Sequence, residues 1–80
     1  MQIVIGVDIG TTSTKVVAFD QKGQAQASAN NGYPLIQTQP DMAEEDPVAI
    51  FEAVCDGLRE VVSQIDAKAV RGISFSAAMH

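Results

Sequence analysis

The residues best suited to chemistry lie close together near the amino terminus. They are Asp8, Gly10, Thr11, Thr12, Ser13 and Lys15. A carboxylate at the end of a strand can hold a hydrated Mg²⁺, because this cation binds oxygen ligands and usually keeps several waters. Glycine lets the backbone approach a phosphate closely, and neighbouring hydroxyls and amides can bind phosphate oxygens. With the charge of Lys15 added, the stretch predicts a cradle for a polyphosphate and its metal ion.

A plainer interpretation of the same stretch is a β-hairpin whose turn happens to contain glycine and threonine. Asp, Ser and Thr side chains often bond to their own backbone in turns. The stretch does not match the Walker pattern, which needs Gly-Lys-Ser/Thr after a longer spacer and then a helix. Here the strand-like segment 13–20 follows, so phosphates would lie against a hairpin. The complete string over residues 6–15, after an apolar first strand, favours the functional interpretation.

Short apolar runs and turn residues predict the elements that would position this hairpin. Strands are expected at residues 2–8, 13–20 and 24–31, with tight turns at 9–12 and 20–23. Two tight turns in succession predict an antiparallel meander. The third strand is weakly specified, and we expect it at or near an edge of the sheet.

The segment after the third strand is predicted to be irregular. Residues 32–45 contain Pro34 and Pro40 and lack clean periodicity, which indicates a loop with a short extended piece at 33–36. Asp46 followed by Pro47 is then a strong helix start, because Asp caps helices and proline suits the first helical position.

The predicted helix runs to about Gln64, and its apolar residues follow helical spacing on one stripe. These are Ile50, Phe51, Val54, Leu58, Val61, Val62 and Ile65. Charged residues fall largely on the opposite, solvent-facing side. Cys55 is interpreted as a small residue near the edge of the stripe, and Phe51 and Phe75 as core residues.

A fourth strand is predicted at residues 69–75, followed by a loop at 76–80. The helix acts as a crossover, so the fourth strand should lie parallel to the first. The order β-β-β-α-β is typical of the first half of a ribonuclease-H-like, actin-type α/β subdomain with a mixed sheet. The other helices of such a sheet are missing, so we expect the subdomain to be incomplete.

Composition excludes several classes of protein. The chain of 80 residues carries ten acidic and five basic residues, a net charge of −5, which argues against nucleic acid and anionic membranes as partners. Its apolar runs are shorter than the roughly 20 residues that span a bilayer, and no signal-peptide pattern is visible. A single cysteine suits a reducing compartment, so we expect a cytoplasmic protein.

The string GVDIGTTSTK at residues 6–15 closely resembles the first phosphate motif of actin-like ATPases, in particular that of FGGY-family carbohydrate kinases. The resemblance implies that Asp8 helps to hold Mg²⁺, and that the hairpin contacts the β- and γ-phosphates of ATP. Thr11, Thr12 and Ser13 would make these contacts, and Lys15 would fill a basic position. The hairpin alone does not separate kinases from chaperone ATPases or dehydratase activators.

A later segment, MAEEDP at residues 42–47, resembles the aromatic-x-Glu-Gln-Asp-Pro segment that leads into the first helix of these kinases. The sequence departs from that pattern with Met42 in place of the aromatic residue and Glu45 in place of glutamine. Helix capping by itself could explain this segment.

The last residues, GISFSAAMH at 72–80, resemble the strand and loop that carry substrate-contacting residues in FGGY kinases. The resemblance implies that Met79 packs on a sugar and that His80 hydrogen-bonds one of its hydroxyls or a carboxylate. The Met-His pair is typical of the xylulose and gluconate kinase branches, and Ser-Ala-Ala-Met-His is closer to gluconate kinases. A terminal histidine exposed to solvent is the plainer alternative.

The resemblance implies an ATP-dependent kinase that phosphorylates a hydroxyl of a small sugar or sugar acid, with gluconate favoured and xylulose next. Residues 1–80 would then be the first part of the N-terminal, sugar-binding domain. The catalytic base and the adenosine site are expected beyond residue 80, so the chain alone is predicted to be inactive. The alternatives are a non-kinase actin-like ATPase and a non-catalytic binding fragment. The oligomeric state cannot be predicted from the sequence.

Overall fold

The computed structural model describes residues 2–33, 35–39, 42–45 and 47–77. Along the chain these residues form β1 (Ile3–Ile9), β2 (Ser13–Asp20), β3 (Ala25–Gly32), β4 (Leu35–Gln39), β5 (Met42–Glu45), α1 (Pro47–Ser63), a 3₁₀ turn (Ala67–Ala69) and β6 (Val70–Ala77).

The main sheet has the strand order β3-β2-β1-β6. The β1–β2 and β2–β3 pairs are antiparallel, whereas β1 and β6 are parallel. The predicted meander, the edge position of the third strand and the parallel fourth strand are therefore confirmed. Because β1 and β6 run in the same direction, their carboxyl ends meet at one edge of the sheet, where Ile9 pairs with Ala77.

On one face of this sheet, β1, β2 and β3 are buried under α1. Successive residues of a strand point to opposite faces, so alternate apolar residues of β1, β2 and β3 form the core. The buried strand residues are Ile3, Ile5, Val7, Val16, Ala18, Ala27 and Ala29. From the helix, Ala53, Gly57 and Val61 are buried. Gly57 permits a close approach, since a Cβ there would lie 2.7 Å from Cγ2 of Val16.

The predicted loop at residues 32–45 is wrong in part, because β4 and β5 form a separate two-stranded antiparallel hairpin. The two prolines of this segment flank β4 in the sequence instead of interrupting it, which is where strands tolerate proline. The helix begins at Pro47 as predicted. The predicted cap Asp46 lies outside the described residues.

Phe51 and Phe75 do not belong to the core, contrary to the prediction. They are 68% and 59% exposed. Phe75 pairs with Val7 and so lies on the helix side of the sheet, but α1 packs over β2 and β3 and makes few contacts with β1. The helix therefore does not reach far enough across the sheet to cover β6. Phe51 lies outside the buried line of α1.

Candidate functional site

Asp8 lies on the face of the sheet opposite α1, near the carboxyl end of β1. Its neighbours in the strand, Val7 and Ile9, point towards the helix, and the Asp8 side chain is exposed. Ser76 lies beside it on β6, and the Ser76 hydroxyl donates a hydrogen bond of 3.2 Å to Oδ1 of Asp8. Sequence reasoning placed Ser76 in a loop, but β6 continues past Phe75, so Ser76 orients the carboxylate from the neighbouring strand.

Lys15 is the residue of β2 that pairs directly with Asp8. Residues opposite each other in an antiparallel pair have Cβ atoms about 4.5–5.5 Å apart, so both side chains project from the same face. Both are exposed. Within the described part of the chain, no ion pair joins them. A carboxylate and an ammonium group are thus both accessible to a ligand on this face.

The turn between β1 and β2, which we call the first turn (residues 10–13), is closed by a 2.9 Å bond from the Gly10 amide to the Ser13 carbonyl oxygen. A Cβ on Gly10 would lie 3.1 Å from that oxygen, a tight contact that glycine avoids. Thr11 and Thr12 are exposed. Among the described residues, their amides donate to no protein acceptor. The first turn therefore presents free amides and hydroxyls, as an anion-binding turn should.

Four hydroxyl residues follow one another from position 11 to position 14, and the structure divides them. Ser13 is half-buried, whereas Thr14 is fully buried. Thr14 alternates with Val16 and Ala18 on the helix side of β2. The sequence-predicted group of Thr11, Thr12 and Ser13 thus lies at the surface end of this run, and Thr14 lies on the core side.

Tyr33 is a contact of the first turn that sequence reasoning missed. Its amide donates to the Thr12 carbonyl oxygen at 3.0 Å, and its hydroxyl contacts the carbonyl oxygens of Gly10 and Ser13, the latter at 3.1 Å. The side chain is 7% exposed. The signal that could have found it is register, because the β2–β3 ladder places the residue after Gly32 opposite Thr12.

The donors present suit magnesium bound together with phosphate. Among the described residues, no group of three or more His, Cys, Asp or Glu side chains could enclose a metal ion. Mg²⁺ commonly uses one or two carboxylates and completes its octahedron with water and substrate phosphates. One oriented carboxylate, Asp8, beside a turn with free amides fits that pattern better than a fully protein-ligated cation would.

The predicted sugar-binding residues, Met79 and His80, lie outside the described residues, as does Ala78. The last described residue of β6, Ala77, pairs with Ile9 immediately before the first turn. The helical segments in the described ranges are too short or too polar to cross a membrane.

Known proteins similar to this chain include a xylulose kinase and a gluconokinase. Residues 3–80 match the model for the FGGY family of carbohydrate kinases, N-terminal domain. The chain is 38% identical over 81 residues to a xylulose kinase of Staphylococcus epidermidis, covering 99% of this chain and 16% of that protein. It is 42% identical over 77 residues to the gluconokinase of Bacillus subtilis, covering 96% of this chain and 15% of that protein.

Two solved structures from Lactobacillus acidophilus agree with these relatives. A ligand-bound xylulose kinase superimposes with a TM-score of 0.92 at 48% identity, over 100% of this chain and 16% of that chain. A gluconate kinase gives 0.91 at 48% identity, over 99% of this chain and 16% of that chain. The predicted fold class, an incomplete actin-like α/β subdomain with a mixed sheet, is confirmed. The chain spans about one sixth of these relatives, and it belongs to the FGGY family of carbohydrate kinases.

Proposed function

We propose that this chain is the N-terminal segment of an ATP-dependent carbohydrate kinase, and that its first turn binds the nucleotide phosphates. Thr11, Thr12 and Ser13 contact phosphate oxygens, and Gly10 allows the close approach. Asp8 holds Mg²⁺, and Lys15 adds positive charge.

The observation that carries this proposal is the arrangement of the first turn beside Asp8. The amides of Thr11 and Thr12 have no protein acceptor within the described ranges, and both residues are exposed. The Asp8 carboxylate is held by Ser76 on the same sheet. A buried or self-bonded turn could not serve a charged ligand in this way.

The chemistry available to these residues is binding and charge neutralisation. Phosphoryl transfer depends mainly on positioning and on stabilising negative charge, and a metal ion supplies part of that stabilisation when it is bound. The turn orients the phosphates through its amides, and Lys15 offsets their charge. No residue of the segment is assigned as catalytic base, which we place beyond residue 80, and the segment alone is therefore expected to be inactive.

The acceptor is proposed to be a small sugar or sugar acid, with gluconate favoured and xylulose next. Met79 would pack on it and His80 would hydrogen-bond it. Support comes from the Ser-Ala-Ala-Met-His ending at residues 76–80 and from the gluconate and xylulose kinases among the relatives. The match to the carbohydrate kinase family favours a sugar kinase over the other kinds of actin-like ATPase. Magnesium use and a cytoplasmic location remain predictions.

The experiment that tests the proposal is Asp8→Ala in the complete polypeptide that carries residues 1–80. We expect the rate of phosphoryl transfer from ATP to fall by roughly 100-fold or more, because metal ions contribute several kcal/mol of charge stabilisation. Gluconate, xylulose and glycerol would be tested in parallel as acceptors, with ADP release as the readout.

Glu60→Ala is a matched control, because it also removes an exposed carboxylate but lies on the outer side of α1. Its rate should equal that of the unaltered enzyme. Transfer by Asp8→Ala at the unaltered rate would refute the proposed metal and phosphate site. An enzyme that phosphorylated glycerol in preference to both other acceptors would refute the acceptor assignment alone.

A further inference from the structure

Tyr33 holds the first turn from the end of β3 through both its backbone and its side chain. The amide reaches the Thr12 carbonyl, and the hydroxyl reaches the carbonyl oxygens of Gly10 and Ser13. Because the side chain is only 7% exposed, the hydroxyl approaches the turn from the protein interior. A ligand on the solvent side of the turn therefore need not contact Tyr33.

The contacts of Tyr33 fix the directions of two backbone amides as well as those of the carbonyl groups. A trans peptide unit is planar, so its C=O and N–H groups point in opposite directions. Holding the Gly10 carbonyl fixes the direction of the Thr11 amide, and holding the Thr12 carbonyl fixes that of the Ser13 amide. Donors that already point in a fixed direction bind an anion without having to reorganise first.

We propose that Tyr33 is a positioning residue that preorganises the first turn for nucleotide phosphates. This inference rests on the proposed function of the turn and extends it to a residue that does not touch the ligand. The alternative is that Tyr33 serves only packing, in which case the aromatic ring would be sufficient and the hydroxyl would be dispensable for binding.

Tyr33→Phe in the complete polypeptide separates these roles, because it removes the hydroxyl and keeps the ring. Binding of ADP and of adenosine would each be titrated by calorimetry. We expect ADP affinity to fall roughly 2- to 10-fold, the range for losing one hydrogen bond of ordinary net strength. Adenosine carries no phosphate, so its affinity should not change. In steady-state assays KM for ATP should rise, with KM for the acceptor unchanged.

The ratio of the ADP affinity to the adenosine affinity is the decisive quantity. A variant that is partly unfolded loses ADP and adenosine binding in equal proportion, so a purely structural effect leaves the ratio unaltered. Thr14→Val is the matched control, since it also removes a buried hydroxyl next to the first turn. This hydroxyl has no hydrogen-bond partner in the described part of the chain. The ratio for Thr14→Val should equal that of the unaltered protein.

An unchanged ratio for Tyr33→Phe, in an enzyme that still requires Asp8 for activity, would overturn the positioning role and leave the proposed function intact. If the unaltered protein bound ADP no better than adenosine, the phosphate assignment of the turn would itself fall, and this inference with it. A fall in ADP affinity alone, with adenosine binding preserved, supports the inference.

Discussion

The two ends of β2 carry two turns that use similar residues in opposite ways. At one end, the first turn leaves Thr11 and Thr12 exposed and is held by Tyr33, which follows β3 and is not part of the turn. At the other end lies the second turn, residues 20–24, which satisfies its own polar groups. Its carboxylate, Asp20, accepts bonds of 2.9 Å from the amides of Lys22 and Gln24 and from the Gln26 side chain.

The difference supports the proposal that the first turn binds a ligand, whereas the second turn is structural. In the second turn, the Gly23 amide donates to the Asp20 carbonyl oxygen, and Gly23 takes a φ of 81° that suits glycine. The carboxylate of the second turn, Asp20, accepts its hydrogen bonds from the chain itself. The acid near the first turn, Asp8, receives one bond from Ser76 and stays exposed. Polar groups left unsatisfied at a surface are available to a ligand, whereas those bonded internally stabilise the fold.

Both turns extend from β2, so the comparison between them assumes that this strand is rigid. Gly57→Ala tests that assumption and has the largest expected effect on stability. The new Cβ would lie 2.7 Å from Cγ2 of Val16, in the middle of β2. Overpacking costs about 1–3 kcal/mol, and the upper half of that range applies here because the β-branched side chain of Val16 is stiff and cannot easily move aside. The gain of about 1 kcal/mol from replacing a helical glycine offsets part of this cost. We expect the free energy of unfolding, measured by denaturant titration, to fall by about 1–2 kcal/mol.

Gly72→Ala is the control for that substitution, because a Cβ on Gly72 meets no atom within 4 Å. It should leave the unfolding free energy unchanged or raise it slightly. If Gly57→Ala were as stable as the unaltered protein, the helix would not be packed tightly on the middle of β2, and the two turns could move independently.

Asp20→Ala tests the structural assignment of the second turn. Removing the carboxylate leaves two backbone amides and one side-chain amide without their acceptor, but all three bonds are exposed and water can replace it. We expect a loss of about 1 kcal/mol in the free energy of unfolding, because the net contribution of such bonds is modest. KM for ATP and the rate of phosphoryl transfer should not change, whereas Asp8→Ala is expected to lower that rate.

Asp20→Asn is the conservative partner, since it keeps one acceptor oxygen and should recover much of the stability. A rise in KM for ATP in Asp20→Ala, without loss of stability, would contradict the division between the two turns.

The sequence was sufficient to predict the strands on either side of both turns, because alternating apolar residues and turn residues are local signals. It also placed Asp8 and the first turn together. It could not predict the contribution of Tyr33 or Ser76, because both reach the site through strand register and not through neighbouring positions. Phe75 was misassigned for a similar reason, since the extent of sheet that α1 covers is a tertiary property.

The run of hydroxyls at residues 11–14 shows the same limit on a finer scale. As a string, Thr-Thr-Ser-Thr offers four equivalent donors. Strand alternation, however, turns the last of them towards the core, where Thr14 is fully buried and its Oγ1 has no partner among the described residues. Whether a hydroxyl can contact a ligand therefore depends on which side of the sheet it lies on, and this is known only from the structure.

Thr14→Val tests this division and should have the smallest effect. A buried hydroxyl without a partner carries a desolvation cost, and valine keeps the shape of the side chain and suits a strand. We expect the unfolding free energy to rise by roughly 0.5 kcal/mol, the low end of the cost of transferring a hydroxyl without a compensating hydrogen bond, and the melting temperature to rise with it. Ser28→Ala, at an exposed position of β3, is the control for loss of a hydroxyl that water already satisfies, and it should change neither quantity. A clear loss of stability or of ADP affinity in Thr14→Val would mean that this hydroxyl has a partner in the complete protein, and the boundary of the first turn would then have to include residue 14.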